Sequence, residues 1–184
     1  MPNLFTEDTY EQAIIELFEN MGYDHLYAPD FDRDYTSPIL DSILRDSLVR
    51  INRGLPVEAI DEAMSKLKNF DTGSLLQKNM IFMDYLQNGV TIKFFVKGEE
   101  QSSIVRLIDY QNVKSNSFYV VNQLTFLENG NNRRPDIILF INGLPLVLME
   151  LKSPAKDEVG VENAYHQIRN YMQDIPSIFY YNAI

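Results

Sequence analysis

The chain has 184 residues, a formal charge of −10, no cysteine, and 45% hydrophobic residues. That length and hydrophobic content suffice for the core of one domain, and the lack of cysteine excludes disulfides, thiolate nucleophiles and cysteine-bound zinc. Such acidity disfavours a module that holds DNA by phosphate neutralisation alone. No apolar run is long enough to cross a membrane, and residues 1–10 carry neither a basic leader nor an apolar signal core. We therefore expect a soluble, cytoplasmic protein.

Hydrophobic residues recur at helical spacing through the first half of the chain. A first helix is predicted over 8–21, with Thr6 or Asp8 as its N-cap and Gly22 as its stop. The same reasoning predicts three further helices, one running from near residue 39 to before residue 54, one over 57–69, and one over 75–86 that is closed by Asn88-Gly89.

Short β-rich runs bounded by turn residues follow these helices. They predict five strands in succession, which suggests a meander, over 90–96, 104–109, 118–125, 136–141 and 146–152. Helical spacing returns over 162–173, where Pro176 ends the helix, and a last strand is expected over 177–181. This order predicts an α/β fold in which helices flank a mixed central β-sheet.

Three charged side chains, Asp136, Glu150 and Lys152, interrupt two otherwise apolar strands. Charges in such places are costly unless they are paired or bound to a metal. Since side chains alternate along a strand, Glu150 and Lys152 project from the same face. Two converging carboxylates form an oxygen site suited to Mg²⁺ or Mn²⁺. A nearby lysine can orient a water, act as a base, or stabilise charge on a phosphate.

The loop at Asn142-Gly143 decides whether Asp136 can join that face. In a regular hairpin, a two-residue loop would set Asp136 opposite Met149 and turn Glu150 to the other face. A three-residue loop would instead set Asp136 opposite Glu150. We therefore expect either an odd-length loop or a β-bulge in this hairpin.

Asp136, Glu150 and Lys152 resemble the D, E and K of the PD-(D/E)xK nuclease superfamily, and Pro135 supplies the P. The run NGLPLV over 142–147, shortly before Glu150-Leu151-Lys152, is similar to the endonuclease domain of the R subunit of type I restriction-modification enzymes. The resemblance implies a restriction-endonuclease-like core with a helical insertion. Its expected parts are a first core helix (1–23), the insertion (38–87), and the sheet and active-site core (90–184).

The resemblance also implies supporting residues. In the superfamily a glutamate on the first helix often completes the metal site, and Glu7 or Glu11 matches it here, with Glu7 slightly preferred. Gln167 and Tyr171 resemble the QxxxY motif of RecB-type nucleases, which supports the site or contacts DNA. Arg134 is a further candidate for contact with DNA phosphate, whereas His25 is interpreted as an ordinary surface or turn residue.

The function implied by the resemblance is metal-dependent hydrolysis of phosphodiester bonds in double-stranded DNA, with Mg²⁺ as cofactor and Mn²⁺ as a substitute. In this family the nuclease domain is followed by an ATP-driven motor and works with methyltransferase and specificity subunits. The chain has no G-x-x-x-x-G-K-[ST] phosphate loop. We therefore expect ATP to act only in a full-length subunit, of which this chain is an N-terminal fragment. Two alternatives are a non-catalytic docking module of that subunit and a stand-alone RecB-like nuclease.

Overall fold

The computed structural model describes residues 6–30, 33–70, 73–152 and 161–182. Its helices are α1 (Glu7–Asn20), α2 (Asp41–Ile51), α3 (Val57–Lys68), α4 (Leu75–Asn88) and α5 (Val161–Asp174). Its strands are β1 (Asp24–Tyr27), β2 (Val90–Val96), β3 (Glu99–Val105), β4 (Phe118–Asn122), β5 (Phe126–Glu128), β6 (Asn131–Arg133), β7 (Ile137–Ile141) and β8 (Leu144–Met149). Within these ranges no helix is both long and apolar enough to cross a membrane.

The five helices lie close to where the hydrophobic spacing predicts them, because their end signals are local. Thr6 rather than Asp8 caps α1, since its side chain accepts a hydrogen bond from the backbone N–H of Thr9. Ser74 and Gln77 form a reciprocal capping box at the start of α4. The four-residue strand β1, which follows α1, was not predicted.

The predicted five-stranded meander is wrong. The main sheet has the order β1-β4-β7-β8, in which β1 is parallel to β4 and the other neighbours are antiparallel. Strands β2 and β3 form a separate hairpin, and β5 and β6 form another. The strand predicted over 104–109 is misplaced, because β3 is a mostly exposed polar run and the buried Leu107 and Ile108 lie beyond its end.

The strand predicted over 177–181 is also wrong. A 3-10 helix covers Pro176–Tyr180 instead and buries Ile178 and Phe179. Its carbonyls turn toward α4, where Asn79 Nδ2 donates to the carbonyls of Phe179 and Tyr180, each at 3.3 Å. These contacts give the segment's carbonyl groups a partner outside any sheet.

The main sheet lies between helices. On one face, Ile15 of α1 packs with Val120, Ile137 and Leu139. On the other face, Ile138 and Phe140 pack with residues of α5, including Tyr171. A further cluster joins α2, α3 and α4 to the β2–β3 hairpin and reaches β8. The expected mixed α/β sheet with flanking helices is confirmed, and the assignment to a restriction-endonuclease-like core stays a prediction.

The hairpin between β7 and β8 has a two-residue loop, so the three-residue alternative is wrong. Ile141 pairs with Leu144, which leaves Asn142 and Gly143 in the loop. Their φ angles are 53° and 83°. Positive φ at both positions is typical of a type I′ turn, whose twist matches that of the two strands.

A β-bulge restores the required register, so this alternative is confirmed. The pairing shifts between Leu139 and Phe140, and the ladder skips Leu146 on β8. Beyond the bulge Ile137 pairs with Met149. The residue before Ile137 is Asp136 and the residue after Met149 is Glu150, so these two side chains fall on the same face of the sheet.

The hairpin loop is fixed against neighbouring segments. The buried Asn142 donates through Nδ2 to the carbonyl of Leu107 at 2.9 Å, and its Oδ1 accepts the backbone N–H of Ser117 at 2.8 Å. The carbonyl of Gly143 accepts the N–H of Leu40 at 3.0 Å. The loop thus connects the sheet to the beginning of α2.

We expect Gly143→Ala to lower the free energy of unfolding by about 2 kcal/mol more than Gly54→Ala. A Cβ at Gly143 would lie 2.7 Å from both the Leu40 carbonyl oxygen and the Leu44 nitrogen, whereas one at Gly54 would meet nothing within 4 Å. Both glycines have positive φ, so each substitution also carries the backbone cost of about 1–2 kcal/mol. Urea unfolding followed by circular dichroism measures the difference, and equal losses would contradict the close approach.

Candidate active site

Asp136 and Glu150 lie at neighbouring positions where β7 begins and β8 ends. Asp136 Oδ2 accepts the backbone N–H of Leu151 at 2.6 Å, and the side chain of Glu150 is only 2% exposed. Burial raises the pKa of both carboxyl groups, because it disfavours the charged forms. The negative charge of Asp136 adds to the rise at Glu150. The two acids thus form a pair of close like charges.

Four side chains close a ring of hydrogen bonds around Glu150. Lys152 Nζ donates to Glu150 Oε1 at 2.8 Å and to Gln167 Oε1 at 2.9 Å. Gln167 Nε2 donates to the Tyr171 hydroxyl at 2.7 Å, and that hydroxyl donates to Glu150 Oε2 at 3.2 Å. Both oxygens of the buried carboxylate are therefore hydrogen-bonded, one of them to a cation.

Helix α5 supplies half of this ring. Gln167 and Tyr171 are four residues apart, so they lie on one face of the helix. That face is the one packed on the sheet, where Tyr171 is buried. Burial raises the pKa of Tyr171 to about 12, so its hydroxyl keeps its proton at neutral pH and serves as a donor to Glu150. The structure thus brings together Asp136 and the four ring residues that the sequence analysis singled out, and their roles stay predictions.

A cavity of about 790 Å³ opens beside Asp136, and Glu11 of α1 lines it. Glu11 Oε1 accepts from Asn122 Nδ2 and its Oε2 accepts from Gln123 Nε2, both at 2.7 Å. Its negative charge adds to the burial that raises the pKa of Asp136. The side chain of Glu7, the slightly preferred alternative, lies outside the described residues, so the choice between the two glutamates stays a prediction.

The sequence analysis missed the residues that hold Glu11. Asn122 is the last residue of β4, is 3% exposed, and shares a hydrogen bond of 2.9 Å with His25 Nε2. Gln123 follows with a φ of 58°, and its backbone N–H donates to the Asp136 carbonyl at 3.2 Å. A non-glycine residue in this conformation is uncommon and costs about 1–2 kcal/mol. Two consecutive amide side chains at the end of an apolar strand were the signal available in the sequence.

His25 has a more defined position than an ordinary surface residue. It lies on β1, beside β4, and lines the same cavity as Glu11 and Asp136. Arg134 also lines this cavity and a second one beside α5. Its neighbour Arg133 instead forms an ion pair with Asp174.

The donor set fits a hard divalent cation that keeps part of its own solvent shell. Among the described residues, no three Asp, Glu or His side chains converge into a metal-binding cage. Mg²⁺, however, usually binds through one or two carboxylates and completes its shell with waters and substrate phosphates. Asp136 and Glu150 provide such a pair. A cation between them would relieve the repulsion that contributes to the raised pKa of Glu150.

Comparison with known proteins shows the family. Residues 4–184 match the family described as type I restriction enzyme R protein N terminus. The chain is 32% identical over 188 residues to the type I restriction enzyme HindI endonuclease subunit of Haemophilus influenzae, an alignment that covers 97% of this chain and 18% of that protein. It is also 32% identical over 183 residues to the putative type I restriction enzyme MjaIXP endonuclease subunit of Methanocaldococcus jannaschii, covering 95% of this chain and 18% of the relative.

The chain therefore spans less than a fifth of the length of these two relatives. Because the family match covers nearly the whole chain, it includes every residue of the candidate site. The resemblance stated from the sequence is confirmed at the level of the family: this chain belongs to the type I restriction enzyme R protein N-terminal family.

Proposed function

We propose that this chain is the DNA-cleaving domain of a type I restriction subunit and hydrolyses phosphodiester bonds in double-stranded DNA with Mg²⁺ as cofactor. The observation that carries the proposal is the meeting of Asp136 with the ring of Glu150, Lys152, Gln167 and Tyr171 at the ends of two strands. The names of the two relatives, both endonuclease subunits, support the same class of activity.

Asp136 and Glu150 would hold the cation between them. When bound, Mg²⁺ supplies an activated water and offsets charge on the scissile phosphate. The protein's part is to fix the two carboxylates beforehand. Asp136 is oriented by the Leu151 N–H, and Glu150 by Lys152 and Tyr171. Groups that are already oriented need little rearrangement when charge develops in the transition state.

Lys152 would serve the reacting phosphate. Its ammonium group has three N–H donors, and within the described residues two of them go to Glu150 and Gln167. In the proposed reaction the third would donate to a phosphate oxygen or to a water. Gln167 and Tyr171 act through Lys152 and Glu150, so we assign them as positioning residues.

The remaining functions would belong to the full subunit and its partners. We propose that ATP-driven translocation occurs in the portion of the subunit beyond this chain, and that methyltransferase and specificity subunits recognise the DNA. The formal charge of −10 agrees with this division, since an acidic domain gains little affinity from phosphate neutralisation. DNA would be brought to the site largely by the rest of the subunit and by the partner subunits.

We expect Asp136→Asn to weaken Mn²⁺ binding at least about tenfold, because even indirect partners of metal ligands change metal affinity by about 10- to 100-fold. Isothermal titration calorimetry of the purified chain measures the change. The matched control is Asp84→Asn, which removes one exposed carboxylate on α4, where Asp84 accepts a hydrogen bond from Asn88. Equal affinity in the two variants would rule out Asp136 as a ligand.

The same variant should show a pH-dependent stability. Burial raises the pKa of Asp136 in the folded state, so the wild-type carboxyl contributes its full stability below its unfolded pKa and loses it as the pH rises through the folded pKa. The carboxamide that replaces it cannot ionise. Without divalent metal, Asp136→Asn should therefore raise Tm at pH 7 and leave it unchanged near pH 3.

Added Mn²⁺ should reverse this order at pH 7, because binding to the folded state raises Tm only where the site is intact. Differential scanning calorimetry with and without the metal provides both measurements. A variant that is less stable than the wild type in the metal-free protein at pH 7 would contradict the inference that burial makes the ionised Asp136 carboxylate unfavourable.

Lys152→Ala in the full-length subunit should abolish phage restriction, since loss of a group that acts on the reacting phosphate costs about two orders of magnitude or more in rate. The efficiency of plating of unmodified phage measures restriction in cells. Lys93→Ala is the control, because Lys93 is an exposed lysine paired with Glu100 on the β2–β3 hairpin. Normal restriction by the Lys152→Ala subunit would exclude the proposed role.

A further inference from the structure

A second cavity, which we call the amide groove, lies between the β5–β6 hairpin and α5. Its volume is about 430 Å³. Its lining consists of amides, cations and aromatic or imidazole groups, contributed by Asn132, Arg133 and Arg134 on the hairpin side and by Asn163, His166, Gln167, Asn170 and Tyr171 on α5. None of these described lining residues carries a carboxylate. The catalytic cavity, in contrast, is lined by three, namely Asp8, Glu11 and Asp136.

The two walls of the amide groove are held together. Nε and an Nη of Arg133 both lie on Asp174 Oδ2, at 2.7 and 2.6 Å. Asn131 Nδ2 donates to the carbonyl of Asp174 at 3.3 Å. The hairpin is thereby attached to the C-terminal end of α5, so the groove exists before any ligand arrives. A preformed site avoids part of the ordering cost of binding.

The groove leads directly to the catalytic residues. Gln167 and Tyr171 line it and also belong to the ring around Glu150. Arg134 lines both the groove and the cavity beside Asp136. A ligand in the groove would therefore contact the same side chains that position Glu150 and Lys152.

The dimensions suit an extended ligand. Asn163, His166 and Asn170 follow one another at spacings of three and four residues and so form a stripe along α5. From Asn163 to Asn170 the helix rises roughly 10 Å at about 1.5 Å per residue. One strand of duplex DNA advances about 3.4 Å along the helix axis per phosphate, so the stripe spans about three phosphate-to-phosphate steps along that axis.

Building on the proposed function, we propose that the amide groove binds the sugar-phosphate backbone of the DNA strand next to the scissile phosphate. Carboxamide N–H groups position a backbone without reading its sequence. Arg134, between the groove and Asp136, supplies a fork of donors suited to a phosphate. The described lining of this groove carries no carboxylate. The acidic groups beside it are Asp174, which pairs with Arg133, and Glu162, which lies 3.9 Å from His166.

Nuclear magnetic resonance of the ¹⁵N-labelled chain tests the location of binding. The probe is a DNA duplex of about 12 base pairs, slightly more than one helical turn, added at low ionic strength without divalent metal. We expect the largest shift changes at the side-chain amides of Asn132 and Asn170 and at Nε–H of Arg134. Changes centred on the Asp8 and Glu11 side of the site, or no changes at all, would overturn the proposal.

A pair of charge variants tests the energetics. Asn170→Asp places a carboxylate in the groove, whereas Gln173→Glu makes the same change at an exposed position of α5 that is outside the groove lining. A charge within several ångströms of a phosphate is worth about 1 kcal/mol in water. Asn170→Asp should therefore weaken duplex binding about fivefold in the same titration, and Gln173→Glu less than about twofold. Equal effects of the two variants would refute a local contact.

Failure of this inference can be separated from failure of the proposed function. The titrations use no metal, whereas the proposed cation site is tested by Mn²⁺ calorimetry without DNA. Mn²⁺ bound through Asp136 together with unperturbed groove signals would retain the nuclease and reject the groove. Perturbed groove signals in a chain that binds no Mn²⁺ would retain the groove as a DNA contact and reject metal-dependent cleavage.

Discussion

The extra residue at Leu146 determines which face of β8 carries the charged groups. Ile138 and Leu148 pack on the α5 side of the sheet, and Ile137 and Met149 on the α1 side. Without the bulge, Glu150 would turn toward the apolar layer that contains Ile15. Lys152, two residues further along, would turn with Glu150, but the Tyr171 hydroxyl on the α5 side could no longer donate to the buried carboxylate, and a buried charge that lacks hydrogen-bond partners is costly. The bulged register of β7 and β8 is therefore required for Glu150 to keep its hydrogen-bond partners.

This register is supported from outside the sheet. Asn142 and Gly143 hold the loop against the beginning of α2 and the segment before β4, while the ring to Gln167 and Tyr171 holds the other end of β8 against α5. The β7–β8 hairpin is thus held in place both at its loop and at its open end. The raised pKa values of Asp136 and Glu150 and the positive φ of Gln123 are three unfavourable features that the fold retains beside the candidate site.

The sequence predicted those features that depend on neighbouring residues. Helix spacing and caps are local, so the helices were predicted closely. The register that sets Asp136 opposite Glu150 was predicted. Whether an odd-length loop or a bulge produces it was not, because both have the same effect on the pairing of β7 with β8. Pro145 was the unused signal, since a strand proline has no N–H for the ladder and is found at bulges and edges. The arrangement of His25, Asn122 and Glu11 arises from the parallel pairing of β1 with β4, a long-range contact without a local pattern.

The two cavities beside the candidate site differ in charge, and this difference favours the approach of a DNA strand from one of them. In the cavity that Glu11 of α1 lines, the carboxylates of Asp8, Glu11 and Asp136 create a negative region that a phosphate would enter only with a cation present. On the α5 side, amides and Arg134 line the approach. Under the proposed function, a strand could rest on the α5 side in the absence of metal, whereas its scissile phosphate could approach Asp136 and Glu150 only once Mg²⁺ had offset their charge. The carboxylates would then link cleavage to the metal, and the acidity of the domain would limit cutting of DNA that has not been delivered to it.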